Sequence, residues 1–230
     1  MMYRTKLTPG ADVYLAAIPE QADPAAIASD ARRREIEETK SSALRLARTA
    51  DWLLLELALR RSLGLDPAKL AFFRSAEGRW SAEGVSFSLS HTESFAAVAV
   101  SREPVGIDAE NIARFAVRCA RDAALTEHML RRICAESENP ERDSASLLRL
   151  WTAKESLFKF IGCGSFRPSR LCPGEETRQF VLLLDEPLFL SVSADHPENI
   201  RFFLACDGAV SPIESGSVLE GDGDLSRWLK

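Results

Sequence analysis

Val105-Gly106-Ile107-Asp108-Ala109-Glu110 places two carboxylates two residues apart in a β-prone run. Side chains at i and i+2 of a strand share a face, here roughly 7 Å apart along the chain. Two oxygen donors so placed suit a single hard cation. Taken alone, the pair reads more readily as solvated carboxylates at a strand end. A second segment, Leu150 to Lys159, changes that balance. At about 100° per residue, Leu147, Leu150, Trp151, Leu157, Phe158 and Ile161 form one apolar arc, with Lys154 near its centre and Glu155 on its edge. An ordinary i,i+4 surface ion pair would satisfy Glu155 and Lys159. Lys154 is different: a lysine in a core face requires an anionic partner or a reach out to solvent. A third segment, Phe87-Ser88-Leu89-Ser90-His91-Thr92, alternates like a strand and ends in a histidine, which by itself reads as a polar cap.

The elements that must position these residues follow from periodicity. A short strand is expected over Asp12–Ile18, then helix from Pro24 to about Leu63, stopped by Gly64 and Pro67. Short strands follow at 87–89, 95–100 and 105–108, helix from about 112 to 134, a polar break at 136–144, and helix again over 146–161. Strands at 179–184, 188–192 and 201–205 complete the pattern, and the polar tail beyond Gly208 is expected to be loosely held. Helix, strands, helix, strands predicts an α+β fold of two halves, 1–103 and 104–230, the second carrying the carboxylates. No long flexible linker separates them, so one packed body is expected.

Composition narrows the class. With 46% hydrophobic residues the chain can bury a substantial core. No apolar run approaches the roughly 18 residues that cross a bilayer, and Met1–Gly10 has no signal-peptide character, so a cytoplasmic enzyme without a membrane partner is expected. Five cysteines without a Cys-x-x-Cys argue against a zinc site or a disulfide framework. A net charge of −5 disfavours nucleic acid as a partner. Arg114, Arg118 and Arg121 recur at i, i+4 and i+7 just after Glu110, which reads either as a solvated helix face or as a basic docking stripe.

Taken together, Ser88-Leu89-Ser90-His91, Val105-Gly106-Ile107-Asp108-Ala109-Glu110 and Trp151-Thr152-Ala153-Lys154-Glu155-Ser156-Leu157-Phe158-Lys159 resemble the ordered motifs of 4'-phosphopantetheinyl transferases. The last two are written in that family as (V/I)-G-(V/I)-D-x-E and W-x-x-K-E-(A/S)-x-x-K. The length resembles the long, surfactin-synthetase-activating group, a monomeric pseudo-dimer of two similar halves, each a small antiparallel sheet packed with helices. The resemblance implies transfer of phosphopantetheine from coenzyme A to a serine of an apo acyl or peptidyl carrier protein, with release of adenosine 3',5'-bisphosphate. It implies Mg2+ held by Asp108, Glu110 and Glu155, and coenzyme A phosphates met by His91 and Lys159. Lys154 would steady the glutamate, and Glu155 or a water of the ion's shell would be the base. Arg79 stands beside Trp80 where the family has Gly-Lys-Pro, and Arg32 lies where basic residues meet the 3'-phosphate, although a solvated helix face explains Arg32 and its neighbours equally well. Two other functions remain open at this point: a coenzyme A-binding homologue without turnover, and a magnesium-dependent nucleotide phosphohydrolase.

Overall fold

The computed structural model describes residues 9–76, 78–135, 138, 140–141, 143–221 and 225. Its elements, in chain order, are β1 (Ala11–Ala17), α1 (Asp30–Glu37), α2 (Ser42–Leu63), β2 (Phe72–Arg74), β3 (Trp80–Ala82), β4 (Ser86–His91), β5 (Phe95–Ser101) and β6 (Val105–Asn111). These are followed by α3 (Ile112–Arg121), α4 (Ala123–Ile133), α5 (Ser144–Ile161), β7 (Thr177–Leu182), β8 (Leu188–Ala194), β9 (Ile200–Cys206), β10 (Ala209–Pro212) and β11 (Val218–Glu220). The fold is α+β. Residues 136, 137, 139 and 142 of the expected polar break lie outside the described residues.

Local chemistry sets the helix ends. Ser29, Ser41, Asn111 and Asp143 each accept a backbone N–H with the side chain at a helix start, relieving donors that have no intrahelical partner. Gly64 and Gly162 close α2 and α5 in the left-handed conformation, which glycine adopts without steric cost. The helical pattern expected over 24–63 is two helices, because Ser41 caps afresh after Thr39 and Lys40. Likewise the expected helix 112–134 breaks at Asp122, whose backbone leaves helical geometry at φ −147°.

The strands form a five-stranded sheet in the order β10-β9-β1-β5-β4, a four-stranded sheet in the order β11-β7-β8-β6, and the small hairpin β2-β3. All ladder pairings are antiparallel except β1 with β9. The C-terminal strands β9 and β10 therefore complete the sheet that β1 begins. The segment after Gly208 is held more firmly than its polarity predicts. Ala209–Pro212 pairs with β9 and Val218–Glu220 with β7, since ladder hydrogen bonds do not depend on side-chain hydrophobicity.

Strand alternation builds four layers. Val13, Leu15, Ala97 and Ala99 of the first sheet face Ile107, Leu190 and Val192 of the second in a central core. On the other face of the first sheet, Tyr14, Ala96 and Val98 pack on Trp52, Leu55 and Leu59 of α2. Phe189 and Val181 on the outer face of the second sheet pack with Leu147 and Leu148 of α5 and Phe115 of α3. Helix, sheet, sheet and helix thus stack, and the two sheets meet edge to edge at β4 and β6.

That seam is closed by hydroxyls rather than by a backbone ladder. Ser86, Ser88 and Ser90 of β4 accept the backbone N–H groups of Val105, Ile107 and Ala109 at 3.0–3.1 Å. The constant offset of 19 residues makes the two strands run parallel. Alternate serines on one strand face supply acceptors at every second residue of the partner, which is the spacing parallel strands require. On the other side of β6, α5 presses so close that a Cβ on Gly106 would stand 1.9 Å from the Ser156 carbonyl oxygen. Only glycine permits that approach, and it carries Glu155 and Lys159 to the carboxylate face of the strand.

Candidate active site

Asp108 and Glu110 project from β6 on the side that α5 covers, and Glu155 and Lys159 project from α5 one turn apart. Lys159 Nζ donates to Asp108 Oδ1 at 2.8 Å and to the Ile107 carbonyl at 2.9 Å, and it lies 3.5 Å from Glu155 Oε2. The ordinary i,i+4 pair therefore exists, but it is part of a larger cluster. Ser90 adds a fourth contact, its hydroxyl donating to Asp108 Oδ1 at 2.9 Å.

Crowding carboxylates into a half-buried site changes their chemistry. Burial and the neighbouring Asp108 charge raise the Glu155 pKa to about 7, against the pull of Lys159. Burial also raises Glu110, with Arg118 opposing and Asp108 reinforcing the shift. Burial disfavours the Lys159 ammonium, but Asp108 and Glu155 outweigh it and hold the pKa above that of an ordinary lysine. Lys159 is thus cationic at neutral pH, while Glu155 stands at the balance point between acid and base.

The donor chemistry fits a hard cation. Asp108, Glu110 and Glu155 offer oxygen alone, and the elevated Glu155 pKa marks a carboxylate that is buried beside the Asp108 charge, a combination a cation would relieve. The three are not gathered around one point. Lys159 bridges Asp108 and Glu155, Glu110 Oε2 pairs with Arg118 at 2.8 Å, and no group of three His, Cys, Asp or Glu is ready to hold an ion among the described residues.

Two cavities flank the cluster. One, of about 270 Å³, is bounded by Lys159 and Phe158 of α5, Ser88 and Leu89 of β4, and the turn carrying Arg79 and Trp80. Arg79 has no ion pair among the described residues, and burial lowers its pKa. The second, of about 440 Å³, lies between the start of α2 and the junction of β6 with α3, and His91, Glu110 and Arg118 open onto it. His91 Nδ1 is 2.7 Å from Asp51 Oδ2 of α2.

Two residues picked from sequence sit elsewhere. Lys154 is fully buried, and its ammonium donates to Glu138 Oε2 and to the carbonyls of Pro168 and Leu171 at 2.8–3.1 Å. It clamps the loop after α5 instead of steadying Glu155, because adjacent residues on a helix diverge by about 100°. Arg32 is also sequestered. Its guanidinium pairs with Glu35 and lies 5.0 Å from the Trp52 ring and 5.8 Å from the Trp80 ring. Trp80 donates its indole N–H to the same Glu35 at 2.9 Å. In the arginine stripe, Arg114 pairs with Glu93 and Glu186, and Arg118 with Glu110, so these two charges are engaged within the chain.

Sequence reasoning passed over Asp51, Glu35 and Ser90. A mid-helix aspartate amid leucines and tryptophan was the available signal for Asp51. The alternation Ser86, Ser88, Ser90 was available for the seam. It also missed a buried hydroxyl network beneath α5, in which Ser191 donates to Thr152 at 2.8 Å and Ser156 meets Ser193 at 3.0 Å. That network explains why the motif helix carries Thr152 and Ser156 on a buried face.

A family model of the 4'-phosphopantetheinyl transferase superfamily matches residues 104–202, the stretch from β6 into β9. The chain is also similar to a protein of Aneurinibacillus migulanus named 4'-phosphopantetheinyl transferase gsp, with 29% identity over 117 residues. That alignment covers 50% of this chain and 48% of the relative, so it spans about half of each. No helix among the described residues is long and apolar enough to cross a membrane. Asp108, Glu110, Glu155 and Lys159 all fall within the matched stretch, on one strand and one helix.

Proposed function

We propose that this chain is a 4'-phosphopantetheinyl transferase that moves the phosphopantetheine arm of coenzyme A onto a serine of an apo acyl or peptidyl carrier protein, releasing adenosine 3',5'-bisphosphate. The observation that carries the reading is the meeting of Asp108, Glu155 and Lys159 between two cavities, one bordered by Arg79 and the other by His91. Asp108, Glu110 and Glu155 would hold Mg2+, which when bound supplies positive charge to the pyrophosphate oxygens.

Lys159 offers its charge to the phosphate oxygens that gain charge as the reaction proceeds. Arg79 supplies a second cation from the wall of the smaller cavity. His91 donates to a phosphate oxygen from the other side. Glu155 accepts the proton of the carrier serine as the serine oxygen bonds to phosphorus. The bond from that phosphorus to the bridging oxygen breaks, and adenosine 3',5'-bisphosphate leaves with the electron pair. The chain acts as a monomer in this reading, since both halves of the site come from one polypeptide.

Carrier-dependent release of adenosine 3',5'-bisphosphate tests the proposal. Release only when an apo carrier is added marks a transferase. Release without any carrier marks a phosphohydrolase, and coenzyme A binding without release marks a binding protein.

A further inference from the structure

Asp51 is an unusual residue for its place. It sits in the middle of α2 beside Trp52 and Leu55, 2% exposed, although aspartate is a poor helix former and a buried carboxylate requires compensation. Its compensation is His91, whose Nδ1 lies 2.7 Å from Oδ2, while Oδ1 has no hydrogen-bond partner. Burial pushes the Asp51 pKa up while the His91 hydrogen bond pulls it down; as a carboxylate it only accepts, so Nδ1 carries the proton and Nε2 is the ring nitrogen left for other partners. The His91 side chain remains 32% exposed and borders the larger cavity. A buried acid from the N-terminal half thus sets the ring of a histidine at the edge of the carboxylate cluster.

We propose that Asp51 is a positioning residue for the transfer reaction: through Nδ1 it fixes the His91 ring so that Nε2–H is presented to a phosphate oxygen of coenzyme A. This rests on the phosphopantetheinyl transferase reading of the site. The Asp51 hydrogen bond also raises the His91 pKa against the effect of burial, which favours the doubly protonated ring that an anion needs. The other charges facing the imidazole are Arg48 of α2 and Lys159 of α5, and Glu93, Glu110, Arg114 and Arg118 share the cavity wall. Lys159 and Arg48 work against imidazolium, and the Asp51 contact is the largest influence sustaining it.

The chain has three histidines, so ring nitrogens labelled with 15N give a spectrum that His91→Gln assigns. In the wild-type protein His91 Nδ1 is expected to bear a proton across its titration; an unprotonated Nδ1 overturns the proposal without reference to any variant. Coenzyme A affinity is then measured by calorimetry with Mg2+ present for wild type, Asp51→Asn, His91→Gln and the double variant. Asp51→Asn should weaken binding about tenfold, the loss of one charge-assisted hydrogen bond, and should move the alkaline loss of affinity to lower pH. The double variant should bind no more weakly than His91→Gln alone. Multiplying losses in the double variant, or unchanged affinity in Asp51→Asn, overturns the positioning role. Wild-type protein that takes no coenzyme A at all overturns the transferase reading and this proposal with it.

Discussion

The Ser90 hydroxyl donates to Asp108 Oδ1 at 2.9 Å while it accepts the Ala109 N–H at 3.1 Å. One oxygen therefore joins the two sheets and orients a candidate metal ligand. Ser90→Ala should leave the Ala109 N–H unsatisfied and cost about 1–3 kcal/mol. Urea unfolding measures that loss, and transfer activity should fall several-fold. Ser86→Ala, at the far end of the seam from Asp108, should destabilise by a similar amount with little change in kcat.

Lys154 and Lys159 lie five residues apart on one helix and are expected to behave oppositely. Lys154→Met removes the donor to Glu138 and two half-buried carbonyls, and should cost about 3 kcal/mol. Lys159→Ala should leave thermal stability much less affected while weakening coenzyme A binding. Melting temperature and calorimetric affinity, measured on both variants, separate the clamp from the site.

Glu155 gives the site a pH signature. Its pKa is raised to about 7 in the metal-free protein, so near neutrality it is partly protonated, and cation binding requires the carboxylate. Mg2+ affinity should therefore rise as pH increases through 7, with proton release on binding. Calorimetry of Mg2+ binding in two buffers of different ionisation enthalpy reads the released protons directly. Glu155→Gln should abolish the release and most of the activity. Equal proton release from wild type and Glu155→Gln would assign the titration to another group.

Gly106 tests the packing that makes the cluster. Its missing Cβ would meet the Ser156 carbonyl at 1.9 Å and the Phe160 nitrogen at 2.5 Å, both backbone atoms that cannot swing aside. Gly106→Ala should cost about 3 kcal/mol and separate Glu155 from Asp108. Denaturation midpoint and activity should fall together in this variant, unlike in Lys159→Ala.

Much of this was legible in the residues. The Asp-x-Glu spacing placed Asp108 and Glu110 on one strand face because strand side chains alternate strictly. The i,i+4 spacing likewise brought Glu155 and Lys159 together. What sequence periodicity does not carry is the partner across the fold. It marked Lys154 as anomalous in an apolar arc but could not reveal Glu138 and the 168–171 carbonyls as its acceptors. Arg32 read as a basic cluster on a helix, and only the approach of Trp52 and Trp80 shows its guanidinium enclosed. The return of β9 beside β1 was equally hidden, since a parallel pairing across nearly the whole chain leaves no local trace.

The activity proposed for this chain is transfer of the phosphopantetheine arm through the Asp108 cluster. Intact-mass spectrometry after incubation with coenzyme A, Mg2+ and a panel of apo carrier proteins tests it most directly. Wild-type protein is expected to add the mass of one phosphopantetheine arm to the serine of at least one carrier, and folded Asp108→Ala to add none. No gain on any carrier, in a panel that a known transferase loads fully, or undiminished gain with Asp108→Ala, would contradict it.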